Sequence, residues 1–172
     1  MSVKTLVLAA LIAAIAFAGC AGSPAASGNK TSGQTKRASN DLFSQLDPVI
    51  EKTFDKLSGR LKPGLRIALL PPNSTDQSAG EYVFDELYEL FVDSDMYDVP
   101  DRNDINKARS EIKFSWNGEV DESTAASAGK FLGANVVVFG SLPDIGTDRR
   151  RLVYRALEVE TGRMLGISSE RF

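Results

Sequence analysis

The four residues Val136-Val137-Val138-Phe139 decide the fold class of this 172-residue chain. β-Branched and aromatic residues favour a strand, and no polar side chain alternates with them here. A strand that is apolar on both faces belongs inside a sheet whose two faces are covered. The segment therefore predicts a sheet with helices packed on it, and the neighbouring sequence must supply those helices.

Apolar residues at helical spacing predict four helices around that strand. Asp47-Pro48 fits an N-cap and first-turn pair in the first helix, and Ser78-Ala79-Gly80-Glu81 fits a capping box at the second. Gly133 fits the residue that ends the last helix. The apolar positions are Leu42, Phe43, Leu46, Ile50, Phe54 and Leu57 in the first helix, Val83, Phe84, Leu87, Leu90 and Phe91 in the second, Ile105, Ala108 and Ile112 after Asp101, and Ala125, Ala128 and Leu132 in the last.

Shorter apolar runs predict the remaining strands. Residues 66–70 predict a buried strand that ends at Pro71-Pro72, and residues 96–99 predict a short strand. Residues 152–159 and 164–169 predict a hairpin that turns at residues 160–163. The sequence therefore predicts a single α/β domain with a mixed sheet of about four or five strands, packed helices and a C-terminal β-hairpin.

The N-terminus has the features of a lipoprotein signal peptide. Lys4 is followed by fifteen uncharged, mostly apolar residues, and Phe17-Ala18-Gly19-Cys20 resembles a bacterial lipobox. In such a motif the cysteine is lipidated and becomes the first residue of the mature protein. An uncleaved anchor helix, or a secreted protein with a free thiol, is the alternative. Ala21 after the cysteine, where an inner-membrane lipoprotein of this sort has Asp, indicates the outer membrane.

Residues 21–40 lack acidic, aromatic and branched aliphatic side chains and are rich in Ala, Ser and Gly. Such a composition cannot offset the entropy of ordering, so the segment is predicted to be a flexible tether. The chain is thus divided into a signal peptide (1–19), a lipidated cysteine with its tether (20–40) and a folded domain (41–172). The whole chain has a formal charge of −3, but the domain carries −7, which disfavours nucleic acid as a partner.

Composition also argues against catalysis and against cofactors. The chain has no histidine, and its one cysteine is in the lipobox, so the usual bases and soft metal ligands are missing. Ser127-Ala128-Gly129-Lys130 and Ser110-Glu111-Ile112-Lys113 match the S-x-x-K pattern of penicillin-recognising enzymes, but the companion motifs are absent. Asp93, Asp95 and Asp98 lack the spacing of a calcium loop. We expect no enzyme activity, no metal site and no cofactor.

A series of short motifs resembles the CsgG/LpoB family of bacterial envelope lipoproteins. The ordered match covers about residues 65–167, which is most of the predicted domain. Its pieces are Ile67-Ala68-Leu69-Leu70-Pro71, Val99-Pro100-Asp101-Arg102, Glu111, Asn117-Gly118-Glu119-Val120-Asp121, Gly129-Lys130-Phe131-Leu132-Gly133-Ala134, Phe139-Gly140-Ser141 and Tyr154-Arg155-Ala156-Leu157-Glu158-Val159-Glu160-Thr161-Gly162.

The resemblance implies a protein that works by binding. Members similar to LpoB are non-enzymatic activators that bind bifunctional penicillin-binding proteins from the outer membrane, whereas members similar to CsgG form ring-shaped export channels. The chain has no insertion for the amphipathic strands of a channel. We therefore expect an accessory lipoprotein that binds and regulates a peptidoglycan synthase, facing the periplasm and held by lipid on Cys20. A CsgG-like structural or export subunit that forms a periplasmic ring is the alternative, so a homo-oligomer stays open.

Two groups of residues are candidates for the partner surface. Nine acidic residues and no basic one lie between Ile67 and Asp101, and Glu81, Asp85 and Glu89 share one helix face. They are either a docking face for a basic partner or an ordinary solvated helix face. Phe114 and Trp116 are either an interface anchor or a cover for the helix ends. Arg149-Arg150-Arg151 is either a contact for anionic lipid or glycan, or a charged strand edge.

Overall fold

The computed structural model describes residues 31–112, 121–143 and 150–172, with side chains described from residue 41 onward. Its helices are α1 (Thr31–Ser58), α2 (Gln77–Asp93), α3 (Arg102–Glu111) and α4 (Glu122–Phe131). Its strands are β1 (Ile67–Leu69), β2 (Asn73–Ser74), β3 (Val136–Leu142), β4 (Arg151–Glu158) and β5 (Met164–Arg171). The leader, Cys20, Phe114, Trp116 and Arg149 lie outside the described residues.

The strands form one mixed sheet of five strands in the order β1-β3-β4-β5. β1 and β2 pair in parallel with β3, while β3–β4 and β4–β5 are antiparallel. β3, which contains the Val136-Val137-Val138-Phe139 run, is central and buried along most of its length. The predicted α/β class, mixed sheet, packed helices and C-terminal hairpin are confirmed.

The two faces of the sheet are buried against different helices. On the first face, α1 and α2 pack over alternate strand residues, and on the second face α3 and α4 do so. The first core contains Leu46, Ile50, Leu57, Ile67, Leu69, Val83, Leu87, Phe91, Val136, Val138, Leu152, Tyr154 and Ala156, among others. The second contains Ala68, Leu70, Ile105, Ala108, Ala125, Ala128, Leu132, Val137, Phe139 and Leu157. Alternation of side chains along each strand divides them in this way.

α1 begins earlier than expected. It starts at Thr31, so the last ten residues of the predicted tether are helical, and Pro48 lies inside the helix rather than in its first turn. An internal proline loses one helix hydrogen bond. Leu46, Val49 and Ile50 flank it in the core, and their burial offsets that loss. Asp47 does not cap the helix; it accepts a hydrogen bond from the hydroxyl of Tyr82 on α2.

The predicted capping box at Ser78 is also wrong. Asp76 is the N-cap of α2, because its carboxylate accepts a hydrogen bond from the Ala79 amide at 3.1 Å, and Ser78 lies within the helix. Asp101 and Asp121 cap α3 and α4 in the same manner. At the other end of α4, Gly133 has φ +62° and the Ala134 amide bonds to the Gly129 carbonyl, so the predicted terminating role of Gly133 is confirmed.

Residues 96–99 are not a strand. Only one parallel bridge forms, between Arg66 and Asp98, with the Ile67 amide bonded to the Asp98 carbonyl at 2.8 Å. Pro100 follows and has no amide to continue the pairing. β2 was not predicted, because its two polar residues Asn73 and Ser74 give no apolar pattern. Within the described residues no helix is long and apolar enough to cross a membrane.

Candidate functional site

The acidic face of α2 is formed by Glu81, Asp85 and Glu89, as the sequence predicted. These residues are one turn apart, with Glu81 and Glu89 exposed and Asp85 partly buried. The opposite side of the helix buries Val83 and Leu87 under the sheet, which fixes the direction in which the carboxylates point. The α2 acidic face is therefore a real surface feature of the fold.

Arg102 at the beginning of α3 forms an ion pair with the middle carboxylate of this face. Arg102 Nη1 donates to Asp85 Oδ1 at 2.6 Å, and its guanidinium lies 4.6 Å from the ring centre of Tyr88 and 5.6 Å from that of Phe84. This combination of ion pair and cation–π contact holds α3 against α2. The position of Arg102 indicates this pairing already in the sequence, because Arg102 directly follows the acidic stretch from Ile67 to Asp101, which has no basic residue.

Arg109 lies near Glu81 at the beginning of α2. Burial lowers the pKa of Arg109, and the nearby charge of Glu81 acts in the opposite direction. Glu81 also accepts a hydrogen bond from Gln77 Nε2 at 2.9 Å. The first part of the acidic face is thus compensated from within the fold, which the linear sequence does not reveal.

Glu89 lies in a more acidic environment. Burial, followed by the charges of Glu89, Asp47 and Asp85, raises the pKa of Glu86. The hydrogen bond to Asp47, followed by burial, raises the pKa of Tyr82, whose ring stacks on Phe43 at 4.6 Å. The concentrated negative charge therefore lies at the junction of α1 and α2, around Asp47, Glu86 and Glu89.

Several other acids of the stretch have structural roles. Asp76 and Asp101 cap helices, and Asp98 accepts a hydrogen bond from Arg66 Nη1 at 2.6 Å. In the described residues no group of three or more Asp, Glu, Cys or His side chains is arranged to hold a metal ion. The stretch is therefore divided between helix capping, internal ion pairs and the exposed part of the α2 acidic face.

The serines of the two S-x-x-K matches lie in different helices, and each forms a hydrogen bond within its own helix. The Ser127 hydroxyl donates to the Ser123 carbonyl at 2.8 Å, and the Ser110 hydroxyl donates to the Lys107 carbonyl at 2.8 Å. Each bond lies within one helix and is a common use of serine there. Lys113 is outside the described residues, as are Phe114 and Trp116, so the aromatic candidates stay predictions.

Comparison with solved structures identifies a related fold. The C-terminal domain of LpoB from Escherichia coli superposes with a TM-score of 0.57 at 16% identity, covering 73% of this chain and 96% of that one. The C-terminal domain of LpoB from Salmonella enterica gives a TM-score of 0.53 at 14% identity, covering 73% and 93%. The fold is LpoB-like. The NMR structure of LpoB from Escherichia coli gives 0.58 at 14% identity over 69% of this chain and 64% of that one.

The sequence comparisons carry less information. No family model matches the chain. Among curated proteins, mouse emerin is 32% identical over 112 residues, or 52% of this chain, and the chain spans only 43% of emerin's length. That partial match establishes no family. The structural likeness is therefore the comparison that bears on the domain, and it concerns the fold.

Proposed function

We propose that this protein is an accessory lipoprotein of the outer membrane that binds and regulates a peptidoglycan synthase in the periplasm, without catalysing a reaction itself. The observation that carries the proposal is the LpoB-like fold, which covers nearly the whole LpoB C-terminal domain. The lipobox at Cys20 supports it independently, because it predicts the cell envelope as the location.

Activation by binding requires a difference in affinity. A bound protein shifts its partner toward an active conformation only when it binds that conformation more tightly than the inactive one. The lipid on Cys20 would keep the domain near its partner, and a surface of the domain would select the active state. We assign the α2 acidic face, with Phe114 and Trp116, as the candidate surface for this selection.

The test uses the full lipidated chain and a bifunctional penicillin-binding protein from the same bacterium. Its glycan polymerisation rate is measured with and without the wild-type lipoprotein, and the expected result is a higher rate at saturation. A Glu81→Gln/Glu89→Gln variant should need a higher concentration for half-maximal effect. Glu51→Gln/Glu160→Gln is the matched control, because both residues are exposed and lie outside the α2 acidic face.

Two results would contradict the proposal. One is an unchanged polymerisation rate in the presence of a bound or excess lipoprotein. The other is a stable closed ring in the solution mass of the full chain, which would favour the CsgG-like structural subunit instead. Loss of activation in the control variant as well would show that net charge, and not the α2 acidic face, determines the effect.

A further inference from the structure

Among the described residues, helices cover the second face of the sheet over β1, β3 and the end of β4, but not over β5. On β4 the uncovered positions are half-buried, and on β5 they are exposed. The core beneath α3 and α4 includes Val137, Phe139 and Leu157, and from β5 only Met164 packs against it. The remaining outward positions of β4 and β5 form what we call the open sheet face. It consists of Arg151, Val153, Arg155, Ile167, Ser169 and Arg171.

The open sheet face is basic and partly apolar in an otherwise acidic domain. It carries three arginines and no acidic residue, whereas the domain has a formal charge of −7. Ile167 is 55% exposed at its centre. The acidic residue of β5, Glu170, points to the other side of the sheet, where Lys56 of α1 binds it. Strand alternation thus places Glu170 on the opposite side of the sheet from Arg151 and Arg171.

Arg151 and Arg171 are directly opposite each other across the β4–β5 ladder. The backbone hydrogen bonds between Arg150 and Phe172 place the next pair, Arg151 and Arg171, in the closely spaced, non-hydrogen-bonded position. Like charges in such a pair destabilise a sheet. In the described residues no acidic side chain forms an ion pair with either arginine. The described part of the domain therefore leaves this repulsion uncompensated.

A second observation on Arg151 also indicates a missing acceptor. Its Nε is buried, and within the described part of the chain that nitrogen has no hydrogen-bond partner. A buried donor without an acceptor costs free energy, and a carboxylate bound to the outer nitrogens of the same guanidinium would offset part of that cost. The repulsion and the unsatisfied donor occur in the same side chain, and both would be relieved by the same ligand chemistry.

We propose that the open sheet face is the docking surface for an acidic protein segment whose carboxylates bind Arg151 and Arg171 beside an apolar contact on Ile167. The planar guanidinium of arginine matches a carboxylate with two parallel hydrogen bonds, and apolar contact next to it is typical of protein interfaces. Anionic membranes are usually recognised by clusters of about 4–8 basic residues, more than this face carries. The inference rests on the proposed function in so far as it names a second surface for its protein partner.

The first experiment identifies what touches the face in cells. A photo-crosslinking amino acid replaces Ile167 in the full-length chain, and the cross-linked peptide is identified by mass spectrometry. The expected product joins position 167 to a protein segment rich in Asp or Glu. A phospholipid, a glycan, a second copy of this chain, a neutral or basic peptide, or the absence of any product would overturn the proposal.

The second experiment measures the role of charge with the partner so identified. Arg151→Glu/Arg171→Glu should weaken binding at least tenfold, whereas Lys52→Glu/Lys62→Glu, which makes the same charge change at exposed sites elsewhere, should weaken it less than threefold. The single variant Arg171→Glu should also raise Tm by about 1–3 °C, because it replaces a repulsive cross-strand pair by an attractive one. Binding that is equally weak in both double variants would overturn the proposal.

The two experiments separate this inference from the proposed function. An acidic partner that is not a peptidoglycan synthase would support the docking surface and contradict the proposed function. Activation of a penicillin-binding protein that is unchanged by Arg151→Glu/Arg171→Glu would support the proposed function and contradict the docking surface.

Discussion

Gly129 of α4 lies directly against Val159 at the end of β4. A Cβ atom at position 129 would be only 2.5 Å from Val159 Cγ2 and 3.3 Å from Val137 Cβ. A distance of 2.5 Å is too short for two non-bonded carbon atoms. α4 can therefore lie this close to the sheet only because residue 129 has no side chain. The glycine of the Ser127-Ala128-Gly129-Lys130 motif therefore has a packing role.

We expect Gly129→Ala to destabilise the domain. Alanine gains up to about 1 kcal/mol of helix propensity, but overpacking a core typically costs about 1–3 kcal/mol, so the free energy of unfolding should fall by about 1 kcal/mol. Urea denaturation measures it, with Ser127→Ala as the control in the same helix. Val159→Ala should reduce the effect of Gly129→Ala in the double variant. A fully additive double variant would contradict the contact.

A buried pair of hydroxyl groups joins α1 to β5, and its two members should respond differently to substitution. Ser168 donates to Thr53 Oγ1 at 3.2 Å, and both residues are completely buried. Thr53→Val leaves the Ser168 hydroxyl without a partner and should lower the free energy of unfolding by about 1–3 kcal/mol. Ser168→Ala should cost less, because the hydroxyl of Thr53 can bond to a carbonyl of its own helix. The free energy of unfolding of Thr53→Val/Ser168→Ala, measured by urea denaturation, provides the check. The double variant should be more stable than Thr53→Val, because it has no unpaired hydroxyl at position 168.

Arg102 should stabilise the domain through both its charge and its stacking. Arg102→Ala removes the ion pair to Asp85 and the contacts with Tyr88 and Phe84, and we expect a loss of about 1–2 kcal/mol for these partly exposed groups. Arg102→Lys keeps a charge but not the planar group, so it should lose about half as much. Thermal unfolding at 0.1 M and 1 M salt separates the two contributions, because only the ion pair is screened. Equal stability of the lysine variant and the wild type would show that stacking contributes nothing.

The raised pKa of Glu86 gives a pH-dependent prediction. Because the folded-state pKa lies above the unfolded one, this residue contributes stability below its ordinary pKa of 4.5 and loses it as pH rises through the folded value. Burial contributes most to the raised pKa, and the neighbouring carboxylates contribute the rest. Glu86→Gln should therefore raise Tm at pH 7, by the equivalent of about 0.2–0.5 kcal/mol. The gain should vanish at pH 3.5. Glu160→Gln, at an exposed position in the β4–β5 turn, is the control. A gain that is constant with pH would contradict the raised pKa of Glu86.

Cys20→Ala tests the predicted lipid anchor. We expect the variant to carry no acyl chain, because the thiol that accepts the lipid is replaced, and to keep its leader, because cleavage at a lipobox acts on the lipidated cysteine. Incorporation of labelled palmitate and the mass of the mature chain are the measurements. Cys20→Ser is a second variant that preserves size, and it should behave alike. Labelling of either variant with palmitate at the wild-type level would contradict the anchor.

The sequence by itself determined the α/β class and most of the helices and strands. Apolar periodicity located α2 and the β4–β5 hairpin, and a run apolar on both faces located the central strand, because local pattern and burial agree there. The sequence did not identify Asp76 as the cap of α2, because Ser78 nearby has a similar preference for the cap position. It also did not show that α1 continues through Pro48, because core packing on both sides of the proline decides whether the helix continues. Lipidation of Cys20 and the roles of Phe114 and Trp116 stay predictions from the sequence.

Only the tertiary structure decided which charges are compensated. The stretch from Ile67 to Asp101 contains no base in sequence, yet Arg66 and Arg102 from its flanks bind Asp98 and Asp85 in space. Conversely, Arg151 and Arg171 are twenty positions apart in a chain of mixed charge, and strand register places them opposite each other. Electrostatic interaction depends on distance through space, which periodicity along the chain does not specify.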